Sequence, residues 1–228
     1  LVAITTNSRI EGIEGASSVD ADPYNQAERS TIYARLEGKE RLLKAHKKAW
    51  ATLWQSDIEI EGDVQAQQDV RSMLYHLYSF SRENTDLSPS PMGLSGLGYN
   101  GHTFWDTELF MYPPMLVLQP RIAKSMIDYR FNRLDAAKRN ASLYGYKGAM
   151  YPWESAATGT EESPVWALTG PFEHHITADV GIAAWNYYLV TQDKNWLKER
   201  GWPVLSETAA FWASRVEQNE KGEYEIKN

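Results

Sequence analysis

Residues 98–110 read GYNGHTFWDTELF: four aromatics, one histidine, two carboxylates and two glycines in thirteen positions. Neither an ordinary helix nor an ordinary loop needs that mixture. The first half is turn-like, because Gly98 and Gly101 relax the backbone. The second half opens DTELFMYPPMLVLQ, residues 106–119, whose apolar spacing is helical. The segment is therefore a loop feeding a helix, with Trp105 and Asp106 at the junction.

On the upstream side, NTDLSPSPMGLSGLGYNG (84–101) is a Pro/Gly/Ser loop. It follows DVQAQQDVRSMLYHLYSFSRE (63–83), where Val64, Val70, Met73, Leu74, Leu77 and Phe80 keep helical spacing. IEIEGD (58–63) is short and alternating, and Gly62 ends it. Residues 27–55 carry Ile32, Leu36, Leu42, Leu43, Ala49 and Leu53 among charges, which predicts one long amphipathic helix. LVAITTN (1–7) alternates like a strand, and RIEGIEGASSVDADPYNQ (9–26) is polar and turn-rich. With no initiator methionine before that strand, the chain is expected to be an internal piece of a longer protein.

On the downstream side, residues 120–145 are predicted as a helix, with Pro120 in its first turn and Gly145 at its C-terminal cap. Residues 146–173 are irregular, and two more helices are predicted near 174–191 and 194–217. The fold class is thus mainly α. Its helices are alternately very apolar and amphipathic, and its long loops hold the unusual chemistry, as in an α/α barrel with its site at one end.

Composition removes other classes. The chain has 228 residues and no cysteine, so disulfides and thiolate metal sites are absent. Net charge is −7, and no basic block exceeds AHKK at 45–48, which argues against nucleic acid and anionic membrane as partners. No apolar run is long enough to span a bilayer, so the protein is expected to be soluble, with bacterial periplasm and cytoplasm both open. Nine tryptophans remain to be placed. Some are core, but an indole beside a carboxylate in an irregular segment suits a sugar, which presents an apolar face and a rim of hydroxyls.

Three segments pair these groups. In the first, Asp106 could simply be an acid at a helix N-terminus, yet such a start requires neither His102, Phe104 nor Trp105. The functional reading has Asp106 accepting from sugar hydroxyls while Trp105 lines the pocket. The second, MYPWESAATGTEE (150–162), repeats the pairing in Trp153 and Glu154, with Glu161 nearby and Glu162 read as a solvated loop charge. The third, PFEHHITADVGIAAWNYY (171–188), places Glu173, His174, His175 and Asp179 at the head of an apolar helix. The two histidines lack the separation that puts metal ligands on one helical face, so His175 is read as packing at the mouth of the site and no metal is expected.

GHTFWDTELF, MYPWESAATGTE and HHITADVGIAAWNYYLVTQD, in this order and spacing, resemble the central domain of glycoside hydrolase family 65 over roughly residues 60–228. That family includes maltose, kojibiose and trehalose phosphorylases, acid trehalases, kojibiose hydrolases and the glucosidase acting on glucosylgalactosyl-hydroxylysine. The resemblance implies a partial (α/α)6 barrel preceded by a helical linker and the last strand of an upstream β-sandwich. Residues 1–26 would end the sandwich, 27–61 would be linker, and 62–228 would be the N-terminal part of the catalytic domain. It also implies that Trp105 and Asp106 hold the nonreducing glucose and that Trp153 and Glu154 line the same cleft.

The family's general acid is a glutamate that follows a region like KGEYEIKN (221–228), so the acid is expected beyond Asn228 and no catalytic residue within the chain. This polypeptide alone is accordingly expected not to turn over α-glucosides. The expected activity of the whole protein is inverting hydrolysis of an α-glucosidic bond. One alternative is an inverting phosphorylase, for which inorganic phosphate is a co-substrate and no other cofactor is required. The other is a noncatalytic glycan-binding protein. The expected partners are a glucose-containing disaccharide or oligosaccharide and the remainder of the same protein, with a homodimer left open.

Overall fold

A computed structural model describes residues 23–227, so the strand expected at residues 1–7 and the connector as far as residue 22 lie outside the described residues, while residues 23–26, expected as the end of that connector, open the first helix. The chain divides into two compact units, up to Ser72 and from Met73. In the first unit, α1 (Pro23–Leu53) is the long helix predicted from the apolar spacing. It is interrupted where Gly38 adopts φ 74° and ψ 159°, a conformation open to glycine and costly elsewhere. Helix α2 (Val64–Phe80) follows and continues into the second unit.

The alternating IEIEGD forms no strand. Its polar backbone is paired instead by the Gln67 side chain, which accepts from Ile60 N at 2.7 Å and donates to Ile58 O at 2.9 Å. Arg71 grips Asp57 at 2.6 Å beside it.

In the second unit a π-helical turn, Thr107–Met111, leads into α3 (Tyr112–Leu118). The predicted helix over 120–145 is two, α4 (Pro120–Asn132) and α5 (Leu134–Leu143), separated where Arg133 leaves helical geometry (φ −109°, ψ 14°). There the Arg133 guanidinium is drawn to Asp86 (2.9 Å) and to the Ala157 carbonyl (2.9 Å). Pro120 starts α4 as predicted, since its missing N–H costs nothing at that position. The end of α5 is a Schellman motif: Gly145 takes φ 79°, its N–H reaches Ser142 O, and Tyr146 N–H reaches Ala141 O.

Helix α6 (His175–Thr191) is apolar nearly all round, and α7 (Lys194–Trp196), a second π turn (Leu197–Gly201) and α8 (Trp202–Arg215) complete the helices. A two-residue antiparallel ladder, β1 (Glu217–Gln218) with β2 (Tyr224–Glu225), follows.

Helix α3 packs on α4, α6 on α8, and α4 against α6. The apolar members α3 and α6 thus alternate with the amphipathic α4–α5 and α8 as inner and outer helices of a partial (α/α)6 barrel. Among the described residues no helix is long and apolar enough to cross a membrane.

The barrel positions the long loop that runs from α5 to α6. Its first residues are pinned between outer helices: Ala149 N–H donates to Glu207 O at 2.9 Å, and Met150 N–H to Ala137 O at 3.0 Å. Gly148 (φ 70°) passes so close that a Cβ there would lie 2.2 Å from Glu207 O.

Candidate functional site

Two loops are fastened together at the mouth of the helices. Thr103 and Ser155 exchange both backbone hydrogen bonds, at 3.0 and 2.9 Å, and Ser155 bridges Glu161 in turn. Upstream, Tyr99, Asn100 and Gly101 all have positive φ (54°, 54° and 73°). Asparagine adopts the left-handed region readily, but Tyr99 there costs about 1–2 kcal/mol, and such strain persists where the surroundings enforce it. Here the turn sets the Tyr99 ring edge-on to Phe104, 5.0 Å between centroids.

Trp105 and Asp106 sit between fixed neighbours. On one side, the Phe104 carbonyl accepts from Arg130 Nη2 at 3.2 Å. On the other, Thr107 Oγ1 donates to Pro89 O at 3.0 Å, and the Glu108 carboxylate takes two bonds from Arg130, at 2.7 and 2.9 Å. Trp105 is half-buried, and its ring meets His175 edge-on at 5.0 Å and Phe110 at 5.4 Å. His175 Nδ1 pairs with Asp179 at 2.8 Å, and its Nε2 faces Glu173 at 3.5 Å. Asp106 does not cap the helix that follows it. It is partly exposed and has no hydrogen-bond or ion-pair partner among the described residues.

Across the bridge, the half-buried Trp153 stands perpendicular to Phe104, 5.1 Å between centroids. Glu154 is only 3% exposed, and its Oε1 lies 2.7 Å from His102 Nδ1. The Glu161 carboxylate is turned into its own loop. Oε2 accepts from Trp153 N–H at 2.7 Å, while Oε1 accepts from Glu154 N–H, Ser163 N–H and Ser163 Oγ at 3.1, 3.1 and 2.7 Å. Glu162, one residue on, is exposed, and among the described residues its carboxylate accepts only from Thr160. Gly159 (φ 76°) lets this loop press onto Arg133, where a Cβ would meet the Arg133 Cβ at 2.6 Å.

The seven residues expected at the site fall into two contact groups, Phe104 with Trp153, Glu154 and Glu161, and Trp105 with His175, which the chain joins into one cluster at the Phe104–Trp105 peptide, with Asp106 next in sequence. The adjacent histidines part company. His175 belongs to that cluster, whereas His174 stacks edge-on against Tyr146 (5.9 Å) and Phe211 (5.6 Å) and accepts from Arg215 Nε at 3.2 Å. Burial, and then the Arg215 charge, hold the His174 imidazole below its ordinary pKa of 6.5. No group of three or more metal-ligating side chains converges among the described residues.

A cleft of about 540 Å³ opens beside His174, lined by Tyr144, Tyr146, Phe172, Glu173 and Arg215. Glu173 connects it to the cluster through His175, but Trp105, Asp106, Trp153 and Glu154 do not line it. Sequence reasoning missed this cleft because its walls come from the two ends of the loop between α5 and α6, from the end of α8 and from Lys227 beyond β2. It also left two partners unassigned: His102, which stands in the quoted motif, and Arg130, one of several charges on the amphipathic α4 with nothing in the sequence to single it out.

The cluster offers flat ring faces, one unpartnered carboxylate in Asp106 and one buried, tethered carboxylate in Glu154. Residues 71–228 match the glycosyl hydrolase family 65 central catalytic domain. The chain is 73% identical over 207 residues to a kojibiose hydrolase of Flavobacterium johnsoniae, covering 91% of this chain and 30% of that protein. It is 65% identical over 224 residues to a kojibiose hydrolase of Mucilaginibacter mallensis, covering 98% and 33%. To a kojibiose phosphorylase of Thermoanaerobacter brockii it is 45% identical over 205 residues, covering 84% and 26%. A solved structure provisionally described as a kojibiose phosphorylase from the human microbiome superposes with a TM-score of 0.78 at 26% identity, over 88% of this chain and 27% of that one. The chain thus spans about a third of the length of the relatives it matches.

Proposed function

This chain belongs to glycosyl hydrolase family 65, and from that premise we propose that it carries the glucose-holding part of an enzyme that hydrolyses an α-linked diglucoside with inversion. Kojibiose is the proposed substrate. The observation that carries the reading is Asp106: a carboxylate beside an indole, held on both sides by bonds to its neighbours, yet without a partner of its own among the described residues. An ionised acceptor kept unsatisfied in a fixed place is preorganised for a hydroxyl donor.

In this reading Trp105 and Trp153 pack against sugar faces, while Asp106 and Glu154 accept from hydroxyls. His175 holds the Trp105 ring through its edge contact, and Glu161 acts on the loop rather than on the sugar. The protonation of the leaving oxygen and the activation of water, which an inverting enzyme assigns to two separated carboxyl groups, fall to none of these residues. The general acid is proposed beyond Asn228.

Hydrolysis is favoured over phosphorolysis because the relatives that share 73% and 65% identity are kojibiose hydrolases, against 45% for a kojibiose phosphorylase. The phosphorylase reading is the second, and inorganic phosphate would be its co-substrate. The test is to incubate the full-length protein with kojibiose, with and without phosphate, and to follow the first product by NMR. Inverting hydrolysis releases β-glucose without phosphate; phosphorolysis gives β-glucose 1-phosphate. Turnover of no α-glucoside in either condition would sink both readings.

A further inference from the structure

We propose that His102 is a positioning residue for the Glu154 carboxylate: it donates Nδ1–H to Oε1 and so leaves Oε2 available to a sugar hydroxyl. The proposal rests on the reading of Glu154 as a substrate-binding group.

The geometry is specific. The Nδ1–Oε1 separation is 2.7 Å, the length of a charge-assisted bond, and the two side chains are 24% and 4% exposed. Away from bulk water such a bond is strengthened. A carboxylate that accepts from an imidazole nitrogen requires that nitrogen to carry the proton, so the contact fixes the tautomer as well as the distance.

The supports of the pair are independent of each other. Thr103 and Ser155 exchange two backbone bonds, which holds the two loops in the register that brings residues 102 and 154 together. The Glu154 backbone is pinned a second time, its N–H donating to Glu161 Oε1 at 3.1 Å. With backbone and Oε1 both held, Oε2 has no hydrogen-bond partner among the described residues. A glutamate has three side-chain torsions, and ordering them only when substrate arrives would weaken binding. His102 removes that cost beforehand, so its effect on the reaction should pass entirely through Glu154.

The experiment is a double-mutant cycle in the full-length protein, assayed on kojibiose: His102→Ala, Glu154→Gln, both together, and His102→Asn, whose side-chain amide can donate from near the position of Nδ1. His102→Ala is expected to lower kcat/KM by about 10- to 100-fold, and His102→Asn to recover most of that loss. The double variant should be no worse than Glu154→Gln by more than about three-fold. Multiplying effects, or near-wild-type kcat/KM in His102→Ala, would overturn the proposal.

A second readout does not depend on turnover. In protein labelled with 15N-histidine, Nδ1 of His102 is expected to show the shift of a protonated nitrogen, and a bare Nδ1 overturns the proposal even where a variant fails to fold. Inactivity of the wild type would count against the proposed function instead, and it is distinguished from failure of the His102 role because it precedes every comparison among variants.

Discussion

The guanidinium of Arg130 and the carboxylate of Glu108 meet through two bonds, at 2.7 and 2.9 Å, where neither side chain is more than 2% exposed. The pair joins α4 to the π-helical turn that follows Trp105 and Asp106. The same arginine donates to the Phe104 carbonyl from its side chain, and its own carbonyl accepts from the Tyr151 hydroxyl at 3.1 Å. One residue of an outer helix thus touches both loops of the site.

Breaking this pair on one side leaves a buried charge uncompensated. Glu108→Gln or Arg130→Met is therefore expected to destabilise the fold by about 3–5 kcal/mol, whereas Glu108→Leu with Arg130→Met should cost less than either single change. Urea unfolding of the full-length protein and the three variants measures this. A single-variant loss under about 1 kcal/mol would place the pair with surface salt bridges.

The Arg130–Glu108 pair also marks what a sequence hides. Helices α2, α4, α6 and α8 were legible because burying one face requires apolar residues every three or four positions, and that spacing is local. The break at Arg133 was not, because it accompanies contacts to Asp86 and Ala157, 47 and 24 residues away. The same holds at the site. Tryptophan–carboxylate pairs stand side by side in the chain and could be read, but the partner of Glu154 is 52 residues distant. Glu162 was legible as a solvated loop charge, whereas the inward turn of Glu161 onto its own loop is set by the loop's path.

Asp106→Asn keeps the size of the side chain but exchanges an anionic acceptor for an amide that also donates. Loss of a charge-assisted bond worth about 1.5–3 kcal/mol predicts a fall in kcat/KM of one to two orders of magnitude. Because Asp106 has no protein partner among the described residues, its melting temperature should stay near that of the wild type. Unchanged kcat/KM on every α-glucoside the parent cleaves would remove Asp106 from the sugar site.

His174 predicts a pH dependence of stability. Its folded pKa lies below 6.5, chiefly from burial and secondarily from Arg215, so just below that pH the unfolded chain binds more protons than the native one. Stability then rises with pH: the contribution is complete above about 6.5 and is lost as pH falls from there through the folded pKa. His174→Phe keeps a ring against Tyr146 and Phe211 but removes the titration. The gap in unfolding free energy between pH about 7.5 and pH about 5.5 should therefore narrow in this variant. An identical gap in both proteins would show that His174 titrates alike folded and unfolded.

Glu161 and Glu162 supply a comparison between adjacent residues of one type. All four bonds recorded to the Glu161 carboxylate come from its own loop, two of them from the backbone of Trp153 and Glu154. Glu161→Gln turns an NH2 toward at least one of these N–H groups, so an acceptor is replaced by a donor facing a donor, a loss of about 1–3 kcal/mol. The strain falls on the segment that presents Trp153 and Glu154, so KM for the disaccharide should rise and limited proteolysis between residues 153 and 163 should quicken. Glu162→Gln makes the same chemical change on an exposed side chain held only by Thr160, and both readouts should match the wild type. Equal impairment in the two variants would show that loss of charge in this loop, rather than the inward brace of Glu161, governs the site, and silence in both would show that the brace does not hold Trp153 and Glu154 in place.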